Sequence, residues 1–504
     1  MIRHLISIKT FLLYPLCLVS SLSYYFWKRW IVPPPVDLFS VSETLILLFG
    51  CLNLCFLWIG THLDPPKELF DQEDTAIPFI LSPWPTILLL VPTYKESKDI
   101  LESTFVAISN LAYPREQLSI VVSDDGARDW LKEWIHSSFP HFHYHCRYSN
   151  DHAKAGNLNS IFFHPLFTHL SEFLLILDAD MVFHPYAIHR LLRPFYRFQS
   201  SQWTLDSSLI FVQGPQQFSN IQGLDWLGQQ YLFFYQVVLP AYQGFSLGVP
   251  CCGTNVLFHY ASLCELGGFQ YGSITEDFLT SMYFHSQGKK SGYVSQTIAT
   301  GLAPYSLFDF FKQRKRWMIG GFQILFHPQF LRRFMSLPLS HQWIYGLSGI
   351  QPLLSFCLLV LIMEIFYHFD FFPLFAFWFY TGIYLFGLLF LLRHQSLFTT
   401  FISISESLFM IFYNLIFFVM FLYQSIRGQT ILFDSSSKEK ISHHVYSFLL
   451  LCPFLIYLGL GITWFSQHEI CEIPFLWFII INLQFFCPIL YYLQTLFYSL
   501  HFRT

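Results

Sequence analysis

Several carboxylates in this chain stand where an apolar run stops, and that placement is what chemistry at a sheet edge requires. Residues 173–180 read Phe-Leu-Leu-Ile-Leu-Asp-Ala-Asp, apolar without interruption until Asp178 and Asp180. Five consecutive large apolar residues bounded by charge suit a strand buried on both faces, as in a parallel sheet covered by helices. Ligands of open α/β sheets settle beyond the carboxyl ends of such strands. Asp178 and Asp180 would then be close enough to share one hard divalent cation, the partner of a diphosphate. On its own Asp-x-Asp is also an ordinary turn after a strand, so the neighbouring motifs must decide. One lies at Asp124-Asp125-Gly126, closing the apolar run 118–122. A second is Lys154, in the small-residue turn His152-Ala-Lys-Ala-Gly-Asn-Leu-Asn159, where a lysine at a helix start is a natural diphosphate contact. A third is Thr275-Glu276-Asp277, an expected N-cap followed by two acids in the first turn of a helix that Gly288 closes. The last is Gln313-Arg314-Lys315-Arg316-Trp317. On a helix Gln313, Arg316 and Trp317 share a face, an arrangement suited to an anionic leaving group beside a sugar, or to lipid headgroups.

The elements that must carry these groups can be read in order. A strand-like run at 86–91 precedes Pro92-Thr93-Tyr94-Lys95-Glu96, and Ile100, Leu101, Phe105, Ile108 and Leu111 then recur at helical spacing. After Pro114 come the strand 118–122 and a helical pattern at 129–135. Strand, helix, strand implies parallel neighbours joined by a right-handed crossover. His141, His143 and His145 with Cys146 resemble a zinc cluster in composition, but their alternation predicts a strand, on which the spacing is too long for a tight site. A further strand is expected at 209–213. The aromatic stretch 226–239, with Gln229, Gln230 and Gln236, reads as an amphipathic helix on a membrane surface, and a turn is expected at Cys251-Cys252-Gly253-Thr254.

These motifs occupy the least apolar part of a chain that is 54% hydrophobic, 20% aromatic and 12% charged, against about 25% charged in ordinary soluble proteins. A multi-pass membrane protein with a cytosolic middle is the expectation. Spans are expected at 10–27 and 44–60 as a hairpin, and at 344–365, 372–392, 446–465 and 474–496. The polar-spotted stretch 398–423 is expected to lie in the interface plane, which puts both chain ends and most Lys and Arg inside; Lys28 and Arg29 run against that scheme. The implied domains are an N-terminal hairpin at 1–63, a cytosolic domain at 64–335 and a C-terminal membrane region at 336–504. A net charge of −4 gives no basic field, so nucleic acid is not an expected partner, and the 11 cysteines form no disulfide framework.

Taken together and in order, Pro92-Thr-Tyr-Lys-Glu96, Asp124-Asp-Gly126, Lys154-Ala-Gly-Asn-Leu-Asn159, Asp178-Ala-Asp180, Cys252-Gly-Thr254, Thr275-Glu-Asp277 and Gln313-Arg-Lys-Arg-Trp317 resemble the family-2 processive glycosyltransferases. The look is that of bacterial cellulose synthase catalytic subunits. The resemblance implies an α/β GT-A-type, Rossmann-like fold between transmembrane helices in a bacterial inner membrane. It implies transfer of glucose from UDP-glucose to a growing β-glucan, β-1,4 in linkage, with translocation of the polymer. Thr93, Glu96 and Asp124, with Asp125, would serve the uridine side of the donor. Asp178 and Asp180 would hold Mg2+ or Mn2+ against the diphosphate, and Lys154, Gln313 and Arg316 would face the departing UDP. Asp277 would be the general base, with Trp317 and Cys252 at the acceptor end.

Phe433-Asp-Ser-Ser-Ser-Lys438 resembles the family's gating loop, with Ser436 keeping a hydroxyl and Lys438 the cation. Gln213-Gly-Pro-Gln-Gln217 stands in place of the family's Gln-Thr-Pro-His, and Lys95 in place of a common asparagine. No cyclic-di-GMP-binding domain follows the last expected span. An envelope protein receiving the polymer is implied by resemblance alone. The competing expectations are a related synthase using UDP-GlcNAc, GDP-mannose or a lipid acceptor, and a catalytically silent polytopic scaffold.

Overall fold

Ile87 to Val91 and Phe173 to Leu177 are at most 1% exposed, as strands covered on both faces must be. They are central in a seven-stranded sheet. The computed structural model describes residues 38–62, 80–367 apart from 148, 168–170, 222–223 and 246, then 397–427, 444–451 and 487–494, with single positions at 455, 459 and 462. The sheet strands are β1 (Ile87–Thr93), β2 (Leu118–Asp124), β3 (Phe142–Cys146), β4 (Phe173–Ile176), β5 (Leu209–Gln213), β6 (Val256–His259) and β7 (Lys290–Tyr293). Their spatial order is β7-β5-β6-β4-β1-β2-β3. As the strand-helix-strand pattern predicts, β1 is parallel to both β2 and β4, and β2 is parallel to β3.

One strand departs from the parallel expectation: β6 runs antiparallel to β4 and β5 on either side of it. Its reversal matters for function. Because Val256, at the start of β6, pairs with Ile176 and with Gln213, the turn before β6 lies at the carboxyl edge of the parallel strands. Thr254 thereby meets Asp178, and Gly253 meets Lys154.

The longer helices are α1 (Leu38–His62), α2 (Lys98–Ser109), α3 (Asp129–Ser138), α4 (Ala153–Phe162), α5 (Glu276–Ser286), α6 (Leu307–Phe326), α7 (Pro328–Met335), α8 (Leu339–Tyr367) and α9 (Leu397–Ile426). Leu101, Phe105 and Ile108 of α2, at the predicted spacing, join Leu131 and Ile135 of α3 in the core on one face. Leu158, Ile161 and Phe162 of α4 fill the other face with Leu88, Leu90 and Val121.

Helix α6 docks elsewhere. Leu307, Phe310, Ile319 and Phe322 pack with Met410, Tyr413, Phe417 and Phe421 of α9. The stretch 226–239, expected as one helix, is helical only from residue 232 onward. It begins in turns, and a wide helical turn at Phe234–Val238 leads into a short helix, Leu239–Gly244. Tyr235, Val237, Leu239, Ala241 and Tyr242 are buried there with Leu57 of α1. At Gly60 a Cβ would lie 2.4 Å from the Ala241 carbonyl, so the two helices touch backbone to backbone.

Among the described residues no helix is long and apolar enough to cross a membrane. The expected spans 10–27 and 372–392 lie outside the described residues, as do most of 446–465 and 474–496 and the gating-loop residues Phe433, Ser436 and Lys438. The stretches 44–60 and 344–365 fall within α1 and α8, and 398–423 falls within α9.

Candidate active site

Four chain segments converge on Lys154 at the sheet's carboxyl edge. Positive φ at His152 and Ala153 turns the chain into α4, and Lys154 occupies its first turn. Its Nζ donates to Asp178 Oδ1 at 2.5 Å and to the Gly253 carbonyl at 2.8 Å. Asp178, just beyond β4, is held in turn by its own N–H, which donates to Thr254 Oγ1 at 2.9 Å. Gly253 (φ +83) is glycine for a second reason: a Cβ there would stand 2.5 Å from Asp277 Oδ2. The motifs at 154, 178, 252–254 and 275–277 are therefore one structure, as their chemistry predicts.

Burial would pull the Lys154 amine down, but Asp178, Glu276 and Asp277 around it outweigh that and hold its affinity for the proton above the ordinary lysine value. The neighbouring acids are perturbed for a related reason. Burial first, then the charge of Asp277, pushes Glu276 up to about 7, while Lys154 and Arg316 offset part of this. Burial likewise raises Asp277 against the pull of Lys154 and Arg316. Carboxyls raised toward neutrality in a cleft are what proton transfer needs. Thr275 takes the predicted N-cap position of α5, but its side chain does not cap the helix. Its hydroxyl is 3.0 Å from Ser273 Oγ. Gly320 of α6 explains the crowding, since a Cβ there would lie 2.3 Å from Thr275 Oγ1. The helix bearing Arg316 and Trp317 thus rests directly on the Thr-Glu-Asp segment.

The residues expected to serve the nucleotide form a set of ion pairs. Asp124, whose side chain is fully buried, accepts from the N–H groups of Gly126 and Arg128, both at 2.8 Å, from Arg128 Nε at 3.1 Å and from Tyr144 Oη at 3.1 Å. Arg128 also donates to Thr93 Oγ1 at 2.7 Å, and Thr93 donates to Glu96 Oε2 at 2.6 Å. Thr93, Glu96 and Asp124 thus lie together, but Asp124 is engaged on both oxygens by protein donors and shapes the loop rather than facing outward. Asp125 forms a two-pronged pair with Arg147, at 2.5 and 2.7 Å, and accepts from Asn157 Nδ2 at 2.7 Å. Arg128, Tyr144, Arg147 and Asn157 were not anticipated. Only Arg128, four residues after Asp124, carried a local signal.

Near Trp317, expected at the acceptor end, Gln313 accepts from Tyr231 Oη at 2.9 Å, and the Tyr231 and Trp317 rings lie 5.7 Å apart. Between them Arg314 stands 4.6 Å from the Tyr231 ring, 4.8 Å from Phe310 and 4.7 Å from Trp317. Gln313 and Trp317 share a face as expected, meeting at Tyr231, while Arg316 acts on the Glu276 and Asp277 charges. Cys252 donates its N–H to Gln213 Oε1 at 2.9 Å, and burial followed by Asp277 keeps its thiol protonated. The histidine run forms β3, with His145 beside His164 at 5.3 Å.

Asp178 and Asp180 offer carboxylate oxygens two residues apart, the hard donors that Mg2+ or Mn2+ prefers. Asp178 keeps its second oxygen clear of the Lys154 bond, so the donor set fits such an ion. Among the described residues no three His, Cys, Asp or Glu side chains form a metal cage.

Residues 85–320 match the sequence profile described as glycosyltransferase like family 2, and 264–416 match that of cellulose synthase. A UDP-forming cellulose synthase catalytic chain of Dictyostelium discoideum is 39% identical over 174 residues, covering 34% of this chain and 16% of that protein. The UDP-forming cellulose synthase catalytic subunit of Pseudomonas fluorescens is 27% identical over 338 residues, covering 61% and 41%. The chain therefore matches less than half the length of either relative. Among solved structures, a mannosyltransferase of Pyrobaculum calidifontis in complex with GDP-Man and Mn2+ superposes with a TM-score of 0.53 at 15% identity, covering 78% of this chain and all of that one. That likeness places the sheet and its cover in the GT-A-like fold, whose members commonly use a divalent metal. By these matches residues 85–320 carry a family-2 glycosyltransferase domain and residues 264–416 a cellulose synthase domain.

Proposed function

We propose that the chain is a membrane-embedded, processive, inverting transferase that moves glucose from UDP-glucose to the end of a β-1,4-glucan and passes the product through its own spans. The observation that carries this is the meeting of Lys154 with Asp178 and the Gly253 carbonyl, next to Asp277. A fixed cation, a pair of hard-oxygen ligands and a raised carboxyl are the parts that displacement of a nucleoside diphosphate by a hydroxyl needs. Thr93, Glu96 and the loop braced by Asp124 and Asp125 would receive the nucleoside. Asp178 and Asp180 would hold Mg2+ or Mn2+, which when bound neutralises diphosphate charge. Lys154 and Arg316 add positive charge against the leaving UDP, while Gln313 braces Tyr231 toward the acceptor.

Asp277 takes the proton from the acceptor hydroxyl as its oxygen forms a bond to the anomeric carbon and the bond to UDP breaks on the opposite face. An α-linked donor thus gives a β-linked product with no covalent intermediate on the protein. Trp317 offers the acceptor sugar an apolar plane, with the Cys252 turn beside it. The bilayer, a bacterial inner-membrane location with the catalytic domain facing the cytoplasm, the gating role of Phe433, Ser436 and Lys438, and an envelope protein receiving the polymer belong to this proposal. The composition and the named relatives support them.

The test is the full chain in lipid with Mg2+ or Mn2+ and radiolabelled UDP-glucose. Labelled glucan and free UDP are expected, and label entering product only from another nucleotide sugar would overturn the glucan reading. Asp277→Asn should lower transfer by at least ~1000-fold while leaving UDP binding intact. Retained transfer removes Asp277 from the role of base.

A further inference from the structure

Lys154 and Asp277 must keep a fixed separation if one is to face the diphosphate while the other faces the acceptor hydroxyl. They sit on different helices, α4 and α5, far apart in the chain. The structure ties the two through a third side chain. Asn159 follows Lys154 by five positions on α4, about 7 Å along the axis. It is 3% exposed and grips the backbone of Phe269 from both sides. Asn159 Nδ2 donates to the Phe269 carbonyl at 2.8 Å, and the Phe269 N–H donates to Asn159 Oδ1 at 2.9 Å. This is the pairing a strand would make, supplied by one amide.

The close approach requires Gly268, with φ +86, where a Cβ would stand 2.6 Å from Asn159 Oδ1. The tie continues into α5. The Gln270 N–H donates to Thr280 Oγ1 at 3.0 Å, and Thr280 Oγ1 donates to the Glu276 carbonyl at 2.6 Å. On the outer side the ring of His152, just before Lys154, stacks on Tyr271 with centroids 4.1 Å apart and planes 25° from parallel. Both ends of the Lys154 turn are thus fastened to the segment that leads into Asp277.

We propose that Asn159 is a positioning residue: its paired hydrogen bonds to Phe269, with the His152–Tyr271 stack, set the distance between the diphosphate-facing cation and the acceptor-facing carboxylate. The inference rests on the role given to Asp277 above. A residue that only holds the fold would, when removed, weaken nucleotide binding and turnover together. A residue that sets this separation should spare UDP affinity and lower turnover, because a displacement near 1 Å costs about 100-fold.

The experiment uses the full chain in lipid with UDP-glucose and the metal, measuring UDP affinity, UDP release and sugar incorporation. Asn159→Ala is expected to lower incorporation by about 100-fold with UDP affinity unchanged, and to raise the ratio of UDP released to sugar incorporated. Loss of affinity in step with turnover, or wild-type turnover, overturns the inference. Should Asn159→Ala not fold, Tyr271→Ala decides, because Tyr271 is 43% exposed and its removal strands no buried polar group. A loss of about 5-fold in incorporation at unchanged UDP affinity, the worth of an aromatic pair, supports the tie, and wild-type incorporation overturns it. Inactivity of the unmodified chain with every nucleotide sugar would remove the Asp277 reading, and this inference with it.

Discussion

The two sides of the cleft are built from opposite materials. Toward the nucleotide, Asp124–Arg128, Asp125–Arg147 and Lys154–Asp178 are ion pairs of 3.0 Å or less, each further bonded to backbone or to a second side chain. Toward the acceptor, Tyr231, Phe310 and Trp317 surround Arg314, and a hydrogen bond joins Tyr231 to Gln313. Ion pairs are directional and fix charge in place; ring faces are broad and tolerate sliding. In the function proposed above, a nucleoside diphosphate is held in one pose at each turnover, whereas a lengthening saccharide must move by one unit. The difference in materials therefore matches the difference in what each side must do.

The most damaging way to break the contrast is to remove a charge from the nucleotide side. Arg147→Met leaves the Asp125 carboxylate, 8% exposed, without its two-pronged partner. Losing one member of a buried pair costs roughly 3–5 kcal/mol, so a lowered thermal midpoint and a loss of UDP affinity are expected together. An unchanged midpoint would mean that the pair is solvated and that the nucleotide side is not the rigid half.

Next in size is a pH effect centred on Glu276. Its folded-state affinity for protons, raised to about 7 by burial and by Asp277, exceeds that of an ordinary unfolded glutamate. Between about pH 4.5 and 7 the native state binds more protons than the unfolded chain, so stability should fall as pH rises through that window. Thermal melting at a series of pH values checks it. Glu276→Gln should flatten the slope, and an unaltered slope would place the titration on another group.

How much of this was legible beforehand depended on whether a signal was local. Strands β1, β2, β4 and β5 were readable because burial on both faces leaves unbroken apolar runs, and 209–213 was placed at the bounds it has. The direction of β6 was not, because Val-Leu-Phe-His carries nothing in its composition to show which way it runs. The aromatic stretch 226–239 read as one amphipathic helix, but the burial of Tyr235 with Leu57 of α1, a partner distant in the chain, was not visible in its composition. The motif carboxylates and Lys154 were found by type and spacing. Arg147 was invisible for the reason β6 was: its partner Asp125 is 22 residues distant and meets it only because β2 and β3 are neighbours.

The gentlest test falls on the acceptor side. Tyr231 has φ +48, a left-handed conformation that a tyrosine adopts only when its surroundings hold it. Its ring lies against Arg314 and at a tilt to Trp317, and its hydroxyl donates to Gln313. If rings do the holding, the hydroxyl is dispensable. Tyr231→Phe removes one partly buried hydrogen bond, worth about 1 kcal/mol, and keeps the plane against which Trp317 rests. Sugar incorporation should then fall no more than about 5-fold, with UDP affinity untouched. A loss as large as that from Asn159→Ala would show that the acceptor side, like the nucleotide side, is positioned by directional bonds, and the contrast between the two halves would fail.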